Sequence, residues 1–199
     1  MGSGQRVLIA LVALAAALAG PACGQQCDRH CGLIRWPVKT LADPDAGRID
    51  TAPQPTTVAL LVALPYPRRH PGNARLAPVE LTTWEVHAVL MGWQRSSDRD
   101  FHLVIANPEH HAQTMIVEVP SPTCPEICRT GHAATFAALR QLITDRLGAP
   151  PAWLHRFRDP IPVRVVGVGF FDLIHGEVGA APNGIELHPV MALEFTTRP

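Results

Sequence analysis

The sequence predicts a mainly β domain with one helix: a five-stranded barrel of the OB-fold type that follows a proline-rich N-terminal segment. Apolar and polar side chains alternate along five short segments in the second half of the chain, as is typical of half-buried strands. A segment with helical spacing lies between the third and the fourth of them. The first 78 residues are instead rich in proline and cysteine. An α+β sandwich with the same order of elements is the alternative fold.

Residues 1–22 are expected to be an export signal. Arg6 is the only charged residue in this stretch, and an apolar run from Val7 to Ala19 follows it. The run is shorter than the roughly 20 residues that a membrane-spanning helix needs. We therefore expect the chain to be exported to the periplasm or the extracellular space.

Export makes disulfide bonds chemically allowed, and the five cysteines fall into two groups. Cys27, Cys31, Cys124 and Cys128 are the disulfide candidates, and pairing within or between the two groups stays open. Cys23 is the fifth cysteine, and it could carry a lipid if it is the first residue of the mature chain. A lipid at Cys23 would be the only predicted link to a membrane.

Residues 23–78 are predicted to wrap or tether the folded part of the chain. Eight prolines lie between Pro37 and Pro78. Proline lacks a backbone donor and interrupts the ladders of a sheet. Only residues 57–64 contain an apolar run, for which a short helix or strand is expected.

Residues 79–199 are predicted to form the domain, which begins with three strands. Alternation places these strands at Leu81–Gln94, Asp100–Ala106 and Thr114–Val119. Polar turns at 95–99 and 107–108 separate them. In the third strand the apolar residues face the core, whereas Glu118 faces outward.

The predicted helix and two further strands complete the domain. The helix is expected at Thr130–Leu147 and ends at Gly148, a residue suited to a left-handed cap. The last strands are expected at Val163–Phe170 and Ile185–Phe195. Three strands, a helix and two strands is the element order of an OB-fold, and a closed barrel leaves no exposed sheet edges.

The charge of the predicted domain argues against nucleic acid as a partner. From Pro78 onward, nine arginines, no lysine and thirteen acidic residues give a formal charge of −4. Nucleic-acid binding depends on lysine and arginine that neutralise phosphates. A neutral or cationic glycan, peptide or small molecule fits better, and Trp84, Trp93 and Trp153 are available for stacking.

An acidic residue followed two positions later by a histidine occurs three times in the predicted strands. The three pairs are Glu85 with His87, Asp100 with His102, and Glu186 with His188. Residues i and i+2 of a strand share a face. Each pair is therefore expected to project from one side of its strand, toward solvent.

These side chains predict a ligand-binding module. OB-folds bind ligands on the face of the second and third strands, between the loop that joins strands one and two and the loop that joins strands four and five. The loops correspond to residues 94–99 and 172–183. The side chains expected to contact a ligand are Asp100, His102, Glu118, His175 and Glu177. No catalytic residue is assigned, because none of the common catalytic motifs is present.

A divalent metal site, with zinc as the first choice, is the alternative. Imidazole and carboxylate groups are usual zinc ligands, and His102, His175, Glu186 and His188 offer such groups. A metal-bound water there would support hydrolysis. Whether these side chains converge depends on the strand order. A structural or interaction role in the cell envelope is the second alternative.

Several segments resemble a group of bacterial exported proteins that have no established activity. The segments are Trp36–Thr40 with Asp43–Asp45, Asp100–Val104, Met115–Pro120 followed by Cys124, and the closing pair Gly167–Asp172 and Ala181–Val190. The resemblance covers most of residues 36–195. It implies a recurrent exported domain and no particular catalytic residue.

Overall fold

The computed structural model describes residues 27, 31–68 and 72–197, so the predicted signal and Cys23 lie outside the described residues. The described part is β-rich and contains one mixed sheet of six strands and few helices. The strands are β1 (Asp50–Thr56), β2 (Thr82–Arg95), β3 (Phe101–Asn107), β4 (His110–Val119), β5 (His155–Phe171) and β6 (Ile185–Phe195). The α-helices are α1 (Trp36–Lys39), α2 (Val58–Val62), α3 (Pro125–Thr130) and α4 (Ala133–Leu147).

All five predicted strands are present, but the predicted numbers of strands and helices were too low. β1 lies within the segment that was predicted to be irregular. β5 begins at His155, eight residues before the predicted start at Val163. The helix predicted at Thr130–Leu147 is present as α4, and a further short helix, α3, precedes it and ends at Gly131, which has a left-handed backbone (φ +78°). The short element expected at 57–64 is confirmed as α2. The prediction of a single helix was therefore wrong.

The strand pairings form a circuit. β2 pairs with β3 and with β5, β3 pairs with β4, and β6 pairs with β5, all antiparallel. β4 and β6 pair in parallel, so each strand from β2 to β6 has a hydrogen-bonded neighbour on both sides. β2 bends at a bulge between Leu90 and Gly92. A Cβ atom at Gly92 would lie 2.6 Å from the carbonyl oxygen of His155, so only glycine lets β5 approach this closely.

β1 pairs in parallel with the first part of β2, although it contains Pro53 and Pro55. Proline is tolerated in a strand that lies at the edge of a sheet, since the missing N–H can face solvent. β1 has one neighbour, and nearly all its residues are exposed. The proline content, which predicted an irregular segment, is thus compatible with an edge strand.

The hydrophobic core lies between the sheet and the helices. α4 contributes Phe136, Leu139 and Ile143, and α2 contributes Val58 and Leu61. The three apolar positions of β4 that were predicted to face the core are fully buried: Met115, Val117 and Val119. Each such side chain stabilises the fold by roughly 1.5–3 kcal/mol relative to full exposure.

Two disulfide bonds join the N-terminal segment to α3. Cys27 pairs with Cys128, and Cys31 pairs with Cys124. The pairing is therefore between the two cysteine groups, a choice that the sequence left open. Disulfides of this kind fit the predicted export.

Among the described residues, no helix has the length and apolar character needed to cross a membrane.

Candidate functional site

The N-terminal segment lies against the polar face of the sheet. The indole nitrogen of Trp36 donates to Glu126 Oε2 at 2.9 Å, and the Cys31–Cys124 bond anchors the start of the segment. Residues predicted to point outward are consequently buried, with exposed fractions of 5 % or less: Asp100, His102, Glu118, Glu186 and His188. The prediction that these side chains face solvent was wrong, because the covering segment is remote from them in sequence.

Three neighbouring strands bring the buried polar residues together. His102 on β3 lies directly opposite Glu118 on β4, and β6, which carries Glu186 and His188, pairs with the other side of β4. Glu118 lies at the centre: its Oε1 is 2.9 Å from His102 Nδ1, and its Oε2 is 3.0 Å from His188 Nδ1. Asp100 Oδ2 is 3.3 Å from His188 Nε2. Two of the three acid-x-His pairs thus converge, and we call these five residues the acid–histidine cluster.

Lys39 supplies positive charge next to this cluster. Its Nζ donates to Asp172 Oδ2 at 2.9 Å and lies 3.8 Å from Glu118 Oε2. Burial by itself would lower the pKa of Lys39, but Glu118, Glu186 and Asp172 together raise that pKa well above its ordinary value. Lys39 therefore stays charged although its side chain is only 9 % exposed.

The pKa values of the acids in the cluster are shifted in opposite directions. Burial would raise the pKa of Glu118, but its contacts with His102 and His188 outweigh burial and hold that pKa well below the usual range. Burial raises the pKa of Asp100 to about 6. Burial, and then the neighbouring Glu118, raise the pKa of Glu186 well above its ordinary value. The contacts of Glu118 thus favour its ionised form, whereas burial and the neighbouring acids favour the protonated form of Glu186.

The same contacts also shift the pKa values of the two histidines in the cluster. Burial favours neutral imidazole, yet proximity to carboxylates raises the pKa of both His102 and His188 above the ordinary value. His102 is paired with Glu118, and His188 lies between Glu118 and Asp100. The interior of the protein therefore concentrates ionisable groups that can hold or exchange a cation.

Two further buried ion pairs hold the N-terminal segment in place. Arg35 contacts both carboxylate oxygens of Glu80, at 2.6 and 2.8 Å, and also donates to the carbonyl of Phe171 at 2.8 Å. Arg75 binds Asp43, with a shortest contact of 2.6 Å. No local spacing in the sequence indicates these pairs, because the paired residues lie 45 and 32 positions apart in the chain.

A pocket of about 300 Å³ opens beside the cluster, where the sequence predicted ligand binding. The β2–β3 loop contributes residues 96–98, the β5–β6 loop contributes Asp172, His175 and Glu177, and residues 31–36 form another wall. Glu118 and Lys39 also line the pocket. Both predicted loops, 94–99 and 172–183, therefore reach it.

The predicted ligand contacts divide into two groups. Glu118, His175 and Glu177 line the pocket, and the last two lie 3.6 Å apart at its exposed side. Asp100 and His102 are buried outside its lining. The prediction missed Lys39, Asp98 and Asp172. Asp98 and Asp172 lie in the two predicted ligand-binding loops, which is the signal that could have identified them.

A second pocket of about 550 Å³ adjoins the first and shares Ser96 and Ser97 with it. Trp153, which is 85 % exposed, lies in its wall. The other predicted stacking residues are engaged elsewhere, because Trp93 is buried and the Trp84 indole donates to the carbonyl of Val79. The two pockets therefore meet at Ser96 and Ser97, with acids lining the first and an exposed indole lining the second.

The predicted metal ligands are only partly brought together. His188 meets Asp100 and Glu118, and one ligand atom from each of these three residues lies within 4.8 Å of the others. His102 contacts Glu118, whereas Glu186 Oε2 is 4.0 Å from His188 Nδ1. His175 is exposed at the rim of the pocket.

Comparison of the chain with models of protein families, with curated proteins and with solved structures finds no match.

Proposed function

We propose that this chain is an exported ligand-binding module with an OB-type barrel, and that it binds an oligosaccharide bearing amino groups. The circuit of strand pairs from β2 through β3, β4, β6 and β5 supports the barrel, as does the position of α4 between β4 and β5. The predicted signal at residues 1–22 and the two disulfides support a periplasmic or extracellular location. Cys23 remains the proposed point of lipid attachment.

One observation carries the proposed function: an acidic pocket lies between the two loops that bind ligands in OB-folds. Its lining includes four carboxylic acids and one lysine, and the lysine is already paired with Asp172. A pocket with an excess of carboxylates attracts cations. Protonated amines are therefore the groups that fit it.

The adjoining second pocket favours an extended ligand that contains sugar rings. Trp153 presents an exposed indole, a surface on which a sugar ring or an ammonium group can pack. Ser96 and Ser97, which line both pockets, offer hydroxyl groups to a sugar chain that crosses from one to the other. A defined pocket also favours ligand binding over the structural role that the sequence left as an alternative.

Calorimetric titration at low salt tests this function with three probes: a β-1,4-linked glucosamine tetramer, its fully N-acetylated counterpart and tetralysine. We expect the glucosamine tetramer to bind and the acetylated one to bind more weakly, because acetylation removes the charges. Absence of binding at millimolar concentration would overturn the proposal. Tighter binding of tetralysine would overturn the oligosaccharide class and favour a cationic peptide.

Substitutions locate the binding surface. Glu177→Gln and Trp153→Ala should each weaken binding of the glucosamine tetramer roughly two- to five-fold, which is the range for exposed charge and cation–π contacts. Glu109→Gln is the matched control, since Glu109 is an exposed acid in the turn between β3 and β4. An equal loss in all three variants would contradict binding at the pocket.

A further inference from the structure

We propose that Asp100, Glu118 and His188 form a binding site for one divalent cation, with zinc as the best fit. Asp100 Oδ2, Glu118 Oε2 and one imidazole nitrogen of His188 are the ligand atoms. Zinc binds nitrogen and oxygen at about 2.0–2.2 Å, so tetrahedral ligand atoms lie ~3.3 Å apart. The contact between His188 Nε2 and Asp100 Oδ2 measures 3.3 Å, and one atom from each residue lies within 4.8 Å of the other two.

Polar atoms without a hydrogen bond point to a ligand at this place. Asp100 Oδ2 and both imidazole nitrogens of His188 are buried and make no aligned hydrogen bond, although carboxylate oxygens lie close to the ring. The side chains of Asp100 and His188 have no exposed surface. Burial of a polar atom without a hydrogen-bond partner is unfavourable. A divalent cation would give a carboxylate oxygen and a ring nitrogen the partner that the protein does not provide.

The second oxygen of each carboxylate is already held by the protein. The backbone N–H of Ser121 donates to Asp100 Oδ1 at 3.1 Å, and His102 Nδ1 lies 2.9 Å from Glu118 Oε1. These contacts leave Asp100 Oδ2 beside His188 Nε2 and Glu118 Oε2 beside His188 Nδ1. Orientation of metal ligands by such outer contacts is a general property of metal sites.

The charge around the proposed site and its access from solvent also agree with a bound cation. Asp100, Glu118 and Asp172 lie at or beside the site, and Lys39 Nζ lies 2.9 Å from Asp172 Oδ2 and 3.8 Å from Glu118 Oε2. A buried excess of carboxylates is unfavourable unless it is compensated. Glu118 also lines the 300 Å³ pocket, which gives an ion a route from solvent.

The first test measures metal in the exported, disulfide-bonded chain, purified without chelator. Elemental analysis should find one equivalent of zinc or of another divalent ion. The chelator-treated protein should take up one equivalent of Co²⁺ with visible absorption bands and should gain thermal stability when zinc is added. These measurements need no oligosaccharide, so this proposal and the proposed function can fail separately.

Variants assign the ligands. Asp100→Asn and His188→Gln should each weaken zinc binding at least 100-fold, and His102→Gln, which removes an outer contact, should weaken it roughly 10- to 100-fold. His87→Gln, at the exposed histidine of the third acid-x-His pair, is the control and should bind as the unchanged chain does. If a variant fails to fold, the metal content and the melting temperature of the unchanged chain still test the proposal. A protein without metal, whose melting temperature responds to neither chelator nor zinc, would overturn the proposal, as would full occupancy in the His188→Gln variant.

Discussion

Glu80 shows how a single buried charge can organise its surroundings. Its carboxylate accepts hydrogen bonds from both terminal nitrogens of Arg35 and from the backbone N–H groups of Leu76 and Phe171. Both side chains of the ion pair are at most 2 % exposed. Since removal of one partner leaves the other charge buried and unpaired, such pairs are sensitive to substitution even where their net contribution to stability is small.

Glu80→Gln is therefore expected to lower the free energy of unfolding by about 3–5 kcal/mol. Glutamine keeps the shape of the side chain but leaves the guanidinium of Arg35 without a counter-charge. Urea denaturation followed by circular dichroism measures the change. Glu109→Gln, at an exposed turn, should change stability by less than about 0.5 kcal/mol. A loss below 1 kcal/mol for Glu80→Gln would contradict the assigned role.

His132 makes stability depend on pH in a defined direction. It precedes α4 and packs on Phe136, and burial lowers its pKa below the ordinary 6.5. As pH falls through 6.5, the unfolded chain takes up a proton that the folded protein resists, so the folded state loses stability until the lowered pKa is passed. His132→Gln removes this contribution. As the pH is lowered from 7.5 to 5, the free energy of unfolding of the variant should therefore rise relative to that of the unchanged chain. Urea denaturation at both pH values measures this difference, and a difference that does not change with pH would contradict the prediction.

At the scale of elements, the strands and α4 could be predicted because their signals are local. Alternation identified β3 and β6 almost to the residue, and helical spacing identified α4. The covering of the polar face could not be predicted in this way. It depends on α1, whose Lys39 meets Asp172 across 133 positions. The same three-residue pattern is therefore buried at Asp100–His102, whereas Glu85 is half-buried and His87 is exposed, and only tertiary contacts distinguish the two cases.

Close packing around β5 gives a prediction for a single glycine. A Cβ atom at Gly169 would lie 2.3 Å from the carbonyl oxygen of Val79 and 2.8 Å from the indole nitrogen of Trp84. Gly169→Ala should lower the free energy of unfolding by roughly 1–3 kcal/mol, because backbone atoms must move. Gly47→Ala is the matched control, since nothing lies within 4 Å of a Cβ atom at Gly47. Equal effects of the two substitutions in thermal unfolding would contradict this account.

The disulfides fix the N-terminal segment to α3, and this too can be tested. Peptide mapping of the oxidised protein should recover Cys27 linked to Cys128 and Cys31 linked to Cys124. The double variant Cys31→Ser with Cys124→Ser should lose about 2–5 kcal/mol of stability, which is the usual effect of removing a native disulfide from a small exported domain. A peptide that links Cys27 to Cys31 would show that the assigned pairing is wrong.

For the whole molecule, the N-terminal segment is required to balance buried charge. Arg35 faces Glu80, and Lys39 faces Asp172 and Glu118. A chain that begins at Val79 keeps the three acids and loses both cations. We expect this shortened chain to lack a cooperative thermal transition and to bind a hydrophobic dye at pH 7, whereas the chain from Cys23 onward unfolds cooperatively. A cooperative transition in the shortened chain would show that the charges can be accommodated without the segment.

The distances in sequence that these contacts span have a consequence for the order of folding. Arg35 reaches the carbonyl of Phe171 across 136 positions, and β2 must find β5 before the circuit of strands exists. Proteins dominated by such long-range contacts have a high contact order and fold in milliseconds to seconds. The segment that is synthesised first can complete these contacts only after the chain has been made beyond Asp172. Closure of the segment over the buried carboxylates must then combine the removal of water with the neutralisation of charge.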